Sequence, residues 1–171
     1  LTLDQDLQFV TEQRLGEACA GGATTRASAG VLDVRTGEVV SMGSCPGYDP
    51  GEYSSTDPEL LGNPIVSDVF EPGSVLKGGT LSAALEEGVG TAGTELSVNG
   101  HIEAGNRRVT DAHDHAPVDW TVTGILAKSS NVGTIMLARE VGDEKLEHYL
   151  RAFGLGDTTG IELPGESAGI L

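Results

Sequence analysis

The chain has 171 residues, enough for one domain with a core and too few for two of ordinary size. Twenty-six acidic residues against ten basic ones, a net charge of -16 and a pI near 4.4 exclude a phosphate-binding face, which needs clustered Lys and Arg, and weigh against an anionic membrane surface. No apolar run approaches the roughly twenty residues of a membrane span and no signal-peptide pattern occurs; with Leu1 in place of a Met, an excised or processed piece is expected.

The stretch "LTLDQDLQFVTEQRLGEACA" offers Thr2 or Asp4 as a cap and then apolar residues at Leu7, Val10, Leu15 and Ala18. That spacing predicts a helix from about Asp4 to Ala20, ended by Gly21-Gly22. Val31, Leu32 and Val34 before Arg35-Thr36-Gly37, with Val39, Val40 and Met42 after it, predict a β-hairpin. The Pro, Gly, Ser and Asp content from Cys45 to Pro64 marks a loop. A helix is expected to open at Ser74. The glycine-rich polar segment after it has room for short strands around Glu95–Val98 and Arg107–Thr110. Asp119 or Thr121 then caps "VTGILA", a run that halts at "KSSN". Two further helices follow, in "VGTIMLAREVG" and in "DEKLEHYLRAFG", the latter with Leu146, Tyr149, Leu150 and Phe153 on one face. The tail is turn-rich. Cys19 and Cys45 allow one disulfide at most; lacking CxxC or metal spacing, they are expected as two unpaired thiols.

Two stretches carry chemistry. In "FEPGSVLKGG", Ser74 and Lys77 are three apart and share a helix face, so the Lys77 amine is expected to reach the Ser74 hydroxyl. A serine is a poor nucleophile until a neighbouring base takes its proton, and a lysine whose neutral form is favoured by burial serves as that base. The helix N-terminus adds positive potential for a developing anion. Gly78 and Gly79, each costly inside a helix, are expected to give clearance for a backbone or a substrate. In "KSSNVGT", Ser129 and Asn131 place a hydroxyl and an amide at a helix junction, where capping alone would also explain them. "DAHDHAPVD" gathers Asp111, His113, Asp114 and His115 and invites a metal reading, but spacing this tight in a Pro-bounded loop favours a polar loop over a cleft, and no metal or organic cofactor is expected.

Taken in order, "LTLDQDLQ", "VLDVRTGEVVSMGSCPGYDP", "NPIVSDVFEPGSVLK", "AKSSNVGTIMLA" and "FGLGDTTGIELPGE" resemble the transpeptidase domain of class B penicillin-binding proteins, most of all the septal division transpeptidases of actinobacteria. The resemblance implies an α+β fold of the penicillin-binding protein and serine β-lactamase type, here a helical subdomain beside part of an antiparallel sheet. It implies Ser74 as the acylated nucleophile, Lys77 as its base, Ser129 as a proton relay and Asn131 as a contact to the substrate's acyl-side amide, with the Ser74 backbone N–H as one oxyanion donor. The family's third motif, K-[ST]-G, is absent from these 171 residues, so the chain is expected to carry about the first half of the domain.

What the resemblance implies for the whole is D,D-transpeptidation of an acyl-D-Ala-D-Ala stem peptide, acylation by β-lactams, and a place on the outer face of a bacterial membrane through an upstream anchor. Cell-division proteins, self-association and pairing with the other half of the domain are the partners implied; nucleic acid is not. A serine β-lactamase or D,D-carboxypeptidase, and a non-catalytic sensor or interaction module, are the alternatives.

Overall fold

The computed structural model describes residues 1–22 and 24–171, which divide into two compact units. The hairpin unit comprises Leu1–Val69 with Gly160–Ser167, and the helical unit Phe70–Thr159 with Ala168–Leu171. Three two-stranded antiparallel ladders and a set of short helices make the α+β class expected from the sequence.

In the hairpin unit, α1 (Gln5–Ala20) starts where Asp4 accepts the Leu7 N–H and stops at Gly21. Strands β1 (Ala27–Leu32) and β2 (Val39–Cys45) pair from Ala27↔Cys45 to Leu32↔Val39. The helix lies along β2 in a register that both repeats allow. Four helical residues rise about 6.0 Å and two strand residues about 6.8 Å, so Thr11, Leu15 and Cys19 meet Ser41, Gly43 and Cys45 in turn. Ser41, fully buried, donates its hydroxyl to Thr11 at 2.5 Å. A Cβ on Gly43 would stand 3.2 Å from Leu15. Cys19 and Cys45 form a disulfide across a Cα separation of 6.4 Å. The Gln8 amide completes the seam, donating to the Met42 carbonyl at 2.8 Å and accepting its N–H at 2.9 Å.

Two expectations are corrected here. The cysteines are paired, because the helix and strand repeats bring to one rung two residues whose separation of 26 carries no such information. The apolar spacing of α1 marks the packed face only in part: Leu15 is buried and Ala18 half-buried, but Leu7 and Val10 are exposed. The loop after β2 contains two 3₁₀ turns, Pro50–Ser55 and Pro58–Leu60, and the single-turn helix α2 (Pro64–Ser67), each started by an Asp or Asn cap.

The helical unit has an apolar core. Leu81, Ala83 and Ala84 of α3 (Lys77–Glu86), Val98 of β3 (Glu95–Val98), Val122 and Ile125 of α4 (Val122–Lys128), and Val132, Leu137 and Val141 of α5 (Asn131–Val141) form one buried cluster. Strand β3 pairs with β6 (Val118–Thr121), and β4 (His101–Ala104) with β5 (Arg107–Thr110). Strands β4 and β6 are additions to the expected elements, and Asp119 belongs to β6, leaving Thr121 as the cap of α4 through its bond from the Gly124 N–H. Helix α6 (Asp143–Ala152) packs on α3, and Glu87 at the end of α3 accepts from Lys145 and, at 2.8 Å, from the Tyr149 hydroxyl. At Gly133 an added Cβ would fall 2.7 Å from Ile125, so only glycine lets α5 approach α4 there.

Candidate active site

Ser74 lies in a 3₁₀ turn, Gly73–Leu76, that runs directly into α3, rather than in the first turn of the α-helix itself. Gly73 enters the turn at φ 58°, a conformation glycine adopts freely. The turn closes when the Lys77 N–H donates to the Ser74 and Val75 carbonyls. Ser74 is exposed and Lys77 half-buried.

The Lys77 side chain crosses to the junction of α4 and α5. Helix α4 ends at Ser129, which takes the left-handed conformation at φ 53° and ψ 41°. A non-glycine residue held there stores strain of the kind that gathers at functional sites. Ser130 is then the buried cap of α5, and Asn131 its first residue. The Lys77 amine donates to the Ser129 carbonyl at 2.5 Å, the Ser129 hydroxyl at 3.0 Å and Asn131 Oδ1 at 2.7 Å. Those three acceptors match the three protons of an ammonium. The structure thus brings Lys77, Ser129 and Asn131 together across more than fifty residues of sequence, and the direct Lys77–Ser74 bond expected from the shared face is not among the Lys77 contacts.

Asp111 was read in the sequence only as one of a polar group, and it is the residue most tightly built into the junction. Its Oδ1 accepts the Val132 N–H at 3.0 Å, and its Oδ2 accepts the Ser130 hydroxyl at 2.7 Å and lies 3.0 Å from His115 Nε2. Both His115 nitrogens face acceptors, since Nδ1 is 2.9 Å from the Ala116 carbonyl, and the ring sits 4.8 Å from that of Trp120. That setting favours the imidazolium: the Ala116 carbonyl first, and the Asp111 carboxylate second, raise the His115 pKa above its ordinary value. Burial works against the Asp111 charge, but the bonds from Val132, Ser130, His115 and Asn131 outweigh it and hold its pKa below the usual carboxylate value. Among the described residues no three His, Cys, Asp or Glu side chains converge to hold a metal.

Chemically, the junction holds an amine ready to exchange protons. Burial pushes the Lys77 pKa down, and the nearby Asp111 carboxylate opposes that shift. A neutral Lys77 can take a proton, and the Ser129 hydroxyl, which only accepts from Lys77, has its own proton free to pass on. No neighbouring backbone makes use of the clearance expected at Gly78 and Gly79. A Cβ on Gly78 would meet nothing, and one on Gly79 would touch Leu150 and Phe153 of the α6 region at an ordinary 3.6 to 3.8 Å.

The penicillin binding protein transpeptidase domain profile matches residues 27–171. The chain is 45% identical over its whole length to penicillin-binding protein PbpB of Mycobacterium tuberculosis, of which it spans 25%. It is 35% identical over 99% of its length to peptidoglycan D,D-transpeptidase FtsI of Escherichia coli K12, of which it spans 28%. Its fold superposes with a TM-score of 0.92, over 100% of this chain and 38% of the other, on penicillin binding protein 3 of M. tuberculosis complexed with aztreonam, at 45% identity. The chain thus spans about a quarter of the length of the relatives it matches. From the motif order, the fold and these matches together, the chain belongs to the penicillin-binding protein transpeptidase domain family.

Proposed function

We propose that the protein containing this chain is a serine D,D-transpeptidase that cross-links peptidoglycan, with Ser74 as nucleophile. The observation that carries the reading is the Lys77 amine bonded at once to Ser129 and Asn131, which unites the S-x-x-K and S-x-N motifs at one point. A neutral Lys77 takes the Ser74 proton as Oγ attacks the penultimate D-Ala carbonyl of the stem peptide. Ser129 passes its proton to the leaving D-Ala amine and takes one back from the Lys77 ammonium, and Asn131 orients the acyl-side amide. An amine of a neighbouring peptide then takes the acyl group and Ser74 recovers its proton. A β-lactam acylates the same oxygen by ring opening, a reading supported by the aztreonam complex of the structural relative.

The substrate carboxylate and the second oxyanion donor are assigned to a K-[ST]-G strand in the rest of the domain, which would also cover apolar side chains exposed here, among them Phe70, Val75 and Ile170. Among the described residues no helix is long and apolar enough to cross a membrane. A site outside the cytoplasmic membrane, through an anchor elsewhere in the protein, is supported by the Cys19–Cys45 disulfide, a bond that persists in oxidising compartments.

The test is exposure of the full-length protein to a fluorescent penicillin. A stable covalent adduct, lost in Ser74→Ala, is expected. Rapid turnover of the label would mark a β-lactamase instead, and no adduct at all would mark a non-catalytic module.

A further inference from the structure

We propose that Asp111 is a positioning residue for the Lys77–Asn131 pair, its carboxylate fastening the first turn of α5 while the carbonyl beside it, on Thr110, holds the Asn131 amide. The proposal rests on the transpeptidase reading of Ser74 and Lys77.

Asn131 Oδ1 accepts from Lys77, and its Nδ2 donates to the Thr110 carbonyl at 2.9 Å. One peptide unit, Thr110–Asp111, therefore orients the Asn131 side chain through its carbonyl and the backbone around Asn131 through its carboxylate. A cap alone does not require this. Ser130 already caps α5 by accepting the Gly133 N–H at 2.9 Å, and Asp111 adds a second layer by taking the Ser130 hydroxyl and the Val132 N–H. The Asp111 side chain is only 8% exposed, and His115, 17% exposed and tilted against the Trp120 ring, braces it from the loop side.

The carboxylate also sets the charge at the amine it positions. Asp111 is the charged group whose field reaches Lys77, and it favours the ammonium form. Facing Asp111 itself is His115, on which Asp114 also acts. The other ionisable groups on the packed helices are engaged elsewhere or in water. Arg139 of α5 donates to the Glu103 carbonyl, Lys145 of α6 pairs with Glu87 at the far end of α3, and Lys128 of α4 is exposed.

The experiment measures the rate of penicillin acylation of the full-length protein against pH, for the wild type, Asp111→Asn and Asp111→Ala. Asp111→Asn keeps an oxygen for the Val132 N–H but removes the charge. Lys77 then loses its proton more readily, and the acid limb of the profile is expected to move to lower pH by on the order of one unit. Asp111→Ala removes the tether as well and is expected to lower acylation about tenfold to a hundredfold across the pH range. Thermal unfolding establishes which variants fold; if Asp111→Ala does not, the acid limb of Asp111→Asn decides. A wild type that takes penicillin, with an Asp111→Asn profile lying on top of its own, would overturn the role of Asp111 alone. A wild type that takes no penicillin would overturn the transpeptidase reading and this one with it.

Discussion

The hairpin unit and the helical unit are held by different chemistry. Among the described residues of the hairpin unit only Leu15, Ser41 and Cys45 are buried, and the helix is joined to its strand by side-chain hydrogen bonds and one covalent bond. The helical unit instead buries a contiguous apolar cluster drawn from three helices and a strand. The difference teaches where a proton-transfer site can be built. Close-packed apolar helices fix positions to fractions of an ångström, and the Lys77–Ser129–Asn131 junction sits at the ends of three such helices. At Gly133, beside that junction, α5 lies so close to Ile125 of α4 that a Cβ has no room.

The comparison breaks first at Ile125, fully buried at the α4–α5 contact. Ile125→Ala is expected to destabilise the helical unit by about 2–5 kcal/mol and to depress penicillin acylation by loosening Asn131. Thermal unfolding and labelling of the full-length protein check both; an unchanged labelling rate in a destabilised variant would separate core from site.

Next in size is the disulfide. Cys19→Ser with Cys45→Ser opens a cross-link between residues 26 apart and is expected to cost the hairpin unit about 2–4 kcal/mol. Acylation at Ser74 should be unaffected, because Lys77, Ser129 and Asn131 all belong to the helical unit. Denaturant unfolding monitored separately in the two units would read it.

How much of this was legible in the sequence follows from the kind of signal each feature leaves. Caps are local, so the sequence narrowed two helix starts to Thr2 or Asp4 and to Asp119 or Thr121, of which Asp4 and Thr121 cap, and Gly21 marked a helix end; the S-x-x-K and S-x-N strings stood out as short patterns. The seam of α1 on β2 was not legible, because its rungs mix Thr with Ser, Leu with Gly and Cys with Cys and carry no apolar stripe. Strands β4 and β6 are four residues each, too short for alternation to show. Asp111 was visible only as one acid among several, since nothing in "DAHDH" says which carboxylate turns inward. That depends on the N-terminus of α5, twenty residues on.

A smaller effect sharpens the charge side of the account. The Asp111 pKa is held below its ordinary value of 3.8, so the stability it contributes is fully present above that pH and is lost as the pH falls through the folded value. His115 is raised above 6.5, so its contribution is full below that pH and fades as the pH rises through its folded value. The difference in unfolding temperature between wild type and Asp111→Asn should therefore narrow as the medium is acidified below about pH 4. A difference that stays constant there would mean the carboxylate charge contributes nothing.

The smallest expected effect is a gain. Gly79 has ordinary space for a methyl group beside Leu150 and Phe153, so Gly79→Ala should stabilise α3 by about 0.5–1 kcal/mol. A loss of stability would restore the clearance role that the sequence had implied for this glycine.

The central claim is that Ser74 is acylated because Lys77, held by Ser129 and Asn131, takes its proton. The most direct test is peptide mapping by mass spectrometry of the full-length protein after reaction with penicillin, in the wild type and in Lys77→Ala. The adduct is expected on the peptide containing Ser74, and its formation is expected to slow by about 10²–10⁴-fold without the amine, the range a positioned general base supplies. An adduct on any other residue, or one that forms on Ser74 at the wild-type rate in Lys77→Ala, would contradict the account.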